Sequence, residues 1–147
     1  MKFILAVSDD NVIAVNGKMP WHIKHDFQWF KMNTYGCPIV MGRKTWDSIG
    51  RKPLPGRTNV VMSRRMVPGV KTIITGWALE DYLNAHPDAL IIGGACLCEQ
   101  LWTTGDVLIL TRVHKSYGNG LKIELPEFEE MWSKSFGDYT FSVNIIT

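Results

Sequence analysis

Pro38-Ile39-Val40-Met41-Gly42-Arg43-Lys44-Thr45 decides the fold class. The apolar run, with β-branched Ile39 and Val40, has the length of a buried strand, and glycine then leads into two cations and a hydroxyl at a helix start. The same joint recurs at Ile91-Ile92-Gly93-Gly94-Ala95. Strands that run through glycine into helices are the joints of strand–helix alternation, which builds a mainly parallel sheet with helices on both faces.

Working outward, residues 2–8 read as a buried strand, followed by a loop to about residue 22 that carries Asn16-Gly17 and Pro20. A helix is predicted over 24–34, ended by Gly36 and Pro38, and a short helix from 43 runs into the loop Pro53-Leu54-Pro55-Gly56. Strands at 58–63 and 71–75, a helix at 78–86, a strand at 89–92, a helix from 95 and a strand at 107–113 continue the alternation. The rest is mainly β, and Tyr139 to Ile145 alternates like a half-exposed strand, giving the sheet an antiparallel finish. No repeat or linker interrupts the 147 residues, so one α/β domain over 1–147 is expected. In open sheets of this kind ligands bind beyond the carboxyl ends of strands, which directs attention to the loops after residues 8, 41, 63 and 92.

Composition sets the class. The chain is 46% hydrophobic and 20% charged, ordinary for a globular protein, with six Trp and six Phe to line a core or a pocket. A net charge of +2 is too mild to argue for nucleic acid. Its distribution says more: Arg43, Lys44, Arg51, Lys52, Arg57, Arg64 and Arg65 face one acid, Asp47, within that segment, a local excess that suits an anionic ligand. Cys37, Cys96 and Cys98 have no zinc-finger spacing and read as free thiols. The apolar run Phe3 to Val7 is too short for a signal peptide and no transmembrane stretch follows, so a cytoplasmic, membrane-free protein is expected.

Four places carry chemistry. On the helix around residue 26, Ile23, Phe27 and Phe30 share a face and Asp26 lies between them. A carboxylate on an apolar stripe must find donors or become neutral, and it can hold a flat, N–H-rich heterocycle through paired hydrogen bonds. A first-turn acid also suits a cap or the helix dipole, and position alone leaves both readings open. Gly42-Arg43-Lys44-Thr45 offers a helix start with cations, which favours phosphate. Gly93-Gly94-Ala95 permits close backbone approach without matching G-x-G-x-x-G. Met62-Ser63-Arg64-Arg65 ends a strand with arginines suited to phosphate recognition and adenine stacking. Each has an ordinary turn or solvated loop as its alternative. Together, two phosphate-type places and a buried acid fit a dinucleotide plus a heterocycle. His22 and His25 lack a further ligand cluster, so no metal is expected.

In order along about the first 113 residues, these segments closely resemble the dihydrofolate reductase family: Phe3-Ile4-Leu5-Ala6, Asn11-Val12-Ile13-Ala14, Gly17-Lys18-Met19-Pro20-Trp21, Asp26-Phe27 with Phe30-Lys31, Ile39 through Trp46, Ser48-Ile49-Gly50, Leu54-Pro55-Gly56-Arg57, Ile92-Gly93-Gly94-Ala95 and Leu110-Thr111. The resemblance implies NADPH-dependent reduction of 7,8-dihydrofolate to tetrahydrofolate, supporting one-carbon and thymidylate metabolism, by a monomer whose partner is the small-molecule substrate. It assigns Asp26, Trp21 and Thr111 to catalysis. Ile4, Leu5, Phe27, Phe30, Lys31, Ile49, Leu54 and Ile92 join Asp26 and Thr111 around the substrate, with Arg57 on the glutamate-tail α-carboxylate. Ala6, Ile13, Gly17, Lys18 and Met19 fall to the nicotinamide side of the cofactor, and Gly42, Arg43, Lys44 and Thr45 to its phosphates. Met62, Ser63 and Arg64 fall to the 2′-phosphate, and Gly93, Gly94, Ala95, Cys96 and Leu97 complete the cofactor set. A cis peptide is implied at Gly93-Gly94.

Three residues depart from the family pattern. Ala14 replaces a usual glycine, which implies a stiffer loop hinge; Lys52 reads as an insertion; and Cys98 stands where many members have tyrosine. The tail beyond about residue 114 matches poorly. A related reductase acting on another pterin or a riboflavin-pathway intermediate is disfavoured by Asp26, Phe30 and Arg57 together. A noncatalytic folate- or nucleotide-binding module is the reading from another class, left open by the missing tyrosine at Cys98. A nucleic-acid binder lacks aromatics interleaved with the basic run.

Overall fold

The structure is a computed structural model describing residues 1–147. In chain order its elements are β1 (Lys2–Ser8), β2 (Val12–Ala14), α1 (Lys24–Thr34), β3 (Pro38–Gly42), α2 (Arg43–Ser48), β4 (Thr58–Met62), β5 (Lys71–Ile73), α3 (Gly76–Ala85), β6 (Leu90–Gly93), α4 (Ala95–Leu101), β7 (Val107–Val113), β8 (Leu121–Lys122), β9 (Phe128–Ser135) and β10 (Tyr139–Ile146). Eight strands form one sheet in the order β5-β4-β3-β6-β1-β7-β10-β9, parallel from β5 through β7 and antiparallel at β7–β10 and β10–β9.

The burial of β1 follows from its place between β6 and β7. Phe3, Leu5 and Val7 point to one face, where they pack in the largest core cluster with Leu79 of α3 and Ala95 and Cys98 of α4. Ile4 points to the other face, with Leu90, Ile109 and, from α1, Trp29 and Phe30. Period-two alternation thus serves helices on both sides, and continuous apolar runs replace the in–out pattern of half-exposed strands. Next along the sheet, Ile39 and Met41 pack with Trp46 of α2, while Val40 turns to the main core.

The sheet changes direction between β6 and β1, and their ladder is short: Lys2 pairs with Leu90 and Phe3 with Ile91, and no further. The ladder ends there, at the switch in strand order beyond which open sheets of this kind bind ligands.

Three strands were not visible in the sequence. The stretch expected as loop to residue 22 contains β2, paired antiparallel with two-residue β8. These segments have neither length nor alternation; their pairing comes from tertiary contact. The single antiparallel strand expected at the end is a hairpin, β9–β10, with a register shift between Val143 and Asn144. Helix α3 starts at Gly76, two residues before the expected start, and β5 stops at Ile73. The cause is Thr75, whose hydroxyl caps the helix by accepting from the Ala78 N–H at 3.3 Å.

Candidate active site

α1 begins without a side-chain cap, since its N-cap residue is Ile23. Asp26 in its first turn therefore does not serve as a cap. Its carboxylate Oδ1 accepts from the Thr111 hydroxyl at 2.7 Å, across to β7, and the residue is 8% exposed. Burial pushes the Asp26 carboxyl up from its ordinary value, against the opposing pulls of the Thr111 hydrogen bond and the nearby His25. Of the alternatives that position left open, the cap is therefore excluded, and Asp26 is a buried, hydrogen-bonded acid in the first turn of α1. Phe27, the next residue, is 42% exposed, its ring 5.1 Å from that of His22. Phe30, Ile49 and Leu54 are partly buried, and Lys31 is exposed.

The loop from 54 to 57 is shaped by Asn59, which no sequence motif singled out. Its side chain donates to the Leu54 and Arg57 carbonyls and accepts from the Leu54 N–H, at 2.9–3.0 Å. Gly56 must lack a side chain because the Tyr35 ring occupies the space a Cβ would take. Arg57 Nη1 donates to Thr34 Oγ1 at 3.2 Å and Nε to the Pro55 carbonyl at 2.9 Å. Its guanidinium also lies 6.0 Å from the Phe30 ring centre and 5.9 Å from that of Tyr35, a placement that leaves a cation with apolar walls beside α1.

The two glycine joints meet. The peptide between Gly93 and Gly94 is cis, as the resemblance implies. A Cβ on Gly93 would lie 3.1 Å from Thr45 Oγ1, and one on Gly42 3.6 Å from the Gly94 nitrogen. The β3–α2 and β6–α4 turns therefore meet with Thr45 between them, and Gly93, at a φ of 138°, is the position that needs glycine. Lys44 and Arg64 stand exposed nearby in sequence terms at strand ends, while Arg43 is shared with Asp47 through a 3.3 Å ion pair. Ser63 accepts from the Arg65 N–H at 3.3 Å. Cys96 is exposed and Cys98 is fully buried in the core, its thiol pushed up to about 12 by burial and by Glu99. Cys98 thus fills core volume and presents no hydroxyl to the cleft.

The loop between β1 and α1 is tied down on its far side. Val15 and Lys18 exchange backbone hydrogen bonds at 2.8 and 3.2 Å around Asn16-Gly17, whose φ values of 52° and 79° are those of a tight hairpin turn. The Asp10 carboxylate accepts from the Ser8 hydroxyl and from the Tyr117 and Gly118 N–H groups, which lower its pKa to about 2. Trp21 is 9% exposed and tilts against Tyr117 at 5.8 Å, and its buried Nε1–H has no protein partner. Such a donor calls for a polar atom from a ligand or water. Met19 is 44% exposed, whereas Ile13 packs against the main core. Asp10 and Tyr117 escaped sequence reasoning because a loop-to-loop clamp has no periodic signature.

The family model described as dihydrofolate reductase matches residues 1–141, extending into the C-terminal region. Dihydrofolate reductase of Haemophilus influenzae is 36% identical over 138 residues, covering 92% of this chain and 85% of that one. The type 3 dihydrofolate reductase of Salmonella typhimurium is 40% identical over 116 residues, 77% of this chain and 71% of that one. A solved structure of the Enterococcus faecalis dihydrofolate reductase, complexed with NADP(H) and RAB-propyl, superposes with a TM-score of 0.81 at 24% identity, covering 98% and 94% of the two chains. On its sequence, the chain belongs to the dihydrofolate reductase family.

Proposed function

We propose that this family member performs NADPH-dependent reduction of 7,8-dihydrofolate to 5,6,7,8-tetrahydrofolate with Asp26 as its pterin anchor, working as a single-domain cytoplasmic monomer. The observation that carries the reading is the buried Asp26–Thr111 pair at 2.7 Å beside the exposed Phe27 ring. With Oδ1 satisfied by Thr111, Oδ2 is left to receive N–H donors from a pterin, N3–H and the 2-amino group, as a carboxylate receives a guanidinium. Ile4, Leu5 and Ile92 line the end of the β1–β6 ladder, Phe27, Phe30, Ile49 and Leu54 sandwich the substrate, and Thr111 fixes the carboxyl rotamer. Arg57 holds the tail α-carboxylate, and Lys31 adds a second cation on the same side.

The chain's features fit the cofactor. The cradle of Gly42, Thr45, Gly93 and Gly94 admits phosphate, Arg43 and Lys44 supply charge, and Ala95, Cys96 and Leu97 form the first turn of α4 beyond it. Met62, Ser63 and Arg64 meet the 2′-phosphate, while Ala6, Ile13, Gly17, Lys18 and Met19 border the nicotinamide. When bound, NADPH supplies a hydride for pterin C6, and N5 gains a proton. Asp26 lies on the 2-amino side and does not reach N5, so it orients and polarises the pterin while a water delivers the proton. Trp21 offers its unpartnered Nε1–H on the loop that excludes bulk water. Because the protonated carboxyl favours N5 protonation, turnover falls as pH rises through the raised Asp26 value.

The test is absorbance loss from NADPH on addition of dihydrofolate, wild type against Asp26→Asn. Wild-type turnover with loss in the variant is expected; equal turnover removes Asp26 from its role.

A further inference from the structure

We propose that His25 is a positioning residue for this reaction: its hydrogen bond to Tyr139 fixes the rotation of α1 that aims the Asp26 carboxyl into the cleft. The inference rests on Asp26 as the pterin anchor. His25 Nδ1 lies 2.7 Å from the Tyr139 hydroxyl. The imidazole is enclosed by aromatic rings, with centroids 4.6 Å from Phe136, 4.8 Å from Phe141 and 5.6 Å from Tyr139, at steep interplanar angles. The next residue along, Asp26, is bonded to Thr111, and Thr111 stands opposite Phe141 in the β7–β10 ladder. Adjacent residues of α1, about 100° apart around the helix, are therefore fastened to adjacent strands. A helix held at one residue can roll about that contact; a second fastening beside it removes the roll. Trp29, one turn beyond His25, follows the same seam by stacking on Phe141 at 4.7 Å with planes 10° apart. The helix start lacks a side-chain cap, so contacts with the sheet set its orientation.

Histidine suits the post because either tautomer completes the bond, Nδ1–H donating to the phenol oxygen or Nδ1 accepting from its O–H. The other titratable or charged groups around the contact are Tyr139 on β10, Lys24 at the exposed start of α1, and Lys134 on β9, whose ammonium stands 5.5 Å from the Phe136 ring centre.

The experiment compares His25→Phe, His25→Gln and Tyr139→Phe with wild type, measuring kcat and KM for each substrate and the pH profile of kcat/KM. His25→Phe should raise the dihydrofolate KM by about three- to tenfold, the scale of one lost hydrogen bond, with the NADPH KM unchanged. The alkaline limb should persist in every variant, because each retains the buried Asp26. Tyr139→Phe should reproduce the KM change, and His25→Gln, which can still bond to Tyr139, should restore KM. A wild-type dihydrofolate KM in both Phe variants overturns the proposal, as does an equal rise in both KM values, the mark of general loosening. If His25→Phe does not fold, Tyr139→Phe decides alone by the same two criteria. Asp26→Asn in the same assay separates the readings: its loss of turnover beside silent His25 variants defeats only the role of His25.

Discussion

At the proposed pterin end stands a carboxylate that is 8% exposed and held by one hydroxyl across a helix–strand contact. At the proposed phosphate end, Arg43 and Lys44 stand exposed at the start of α2, next to the glycine joints, and Arg64 stands exposed just beyond β4. The first arrangement fixes one charge against the cost of burial, so its energetics turn on geometry and protonation. The second leaves its charges exposed to water, Arg43 sharing Asp47, so its energetics turn on charge number and screening. Orientation belongs to the buried end and capture to the exposed one, and the two should fail differently.

The sharpest way to break this contrast is at Asp26. Asp26→Asn keeps the shape and an acceptor for Thr111 but loses the titrating acid, and kcat/KM for dihydrofolate at neutral pH should fall by about 100- to 1,000-fold. Wild type should lose activity as pH rises through the raised Asp26 value, and the variant should show no such limb. A limb that survives the substitution assigns the titration to another group.

At the other end, Arg64→Ala should raise the NADPH KM by about 10- to 100-fold while leaving the NADH KM nearly unchanged, since only the former carries the 2′-phosphate. Equal effects on both cofactors remove Arg64 from that contact. A milder version needs no mutation. Raising ionic strength from about 0.02 M to about 0.5 M should increase the NADPH KM severalfold and the dihydrofolate KM by less, because exposed cations are screened and a buried acid is not. A larger effect on dihydrofolate would reverse the comparison.

The same contrast explains what could be read from the chain. Strand–glycine–helix joints are local, so Gly42-Arg43-Lys44-Thr45 and Gly93-Gly94 declared both the alternation of the sheet and one half of the cleft. Asp26 was visible as a carboxylate out of place on an apolar face, but its bond to Thr111 spans 85 residues, and only the ordered resemblance paired them. Contacts with neither local pattern nor resemblance stayed hidden. These are the Asp10 clamp on Tyr117 and Gly118, the Asn59 brace of the 54–57 loop, and β9, whose exposed residues carry almost no burial alternation. Each is set by which loops tertiary packing brings together.

The smallest expected effect concerns stability, and it runs opposite to activity. A carboxyl whose folded pKa is raised binds its proton more tightly in the native state than in the unfolded chain. Its contribution to stability is complete below the ordinary carboxyl range and is lost as pH climbs through the raised value. Above the raised value the wild-type fold therefore carries a desolvated charge that Asp26→Asn removes while keeping the shape and the Thr111 bond. Thermal melts on that alkaline side should show the variant more stable by roughly 2–4 °C, with the gap closing as the buffer is acidified. A variant that melts below wild type there would mean that the ionised carboxylate is held by more than the Thr111 hydroxyl, and its raised pKa would be lost with it.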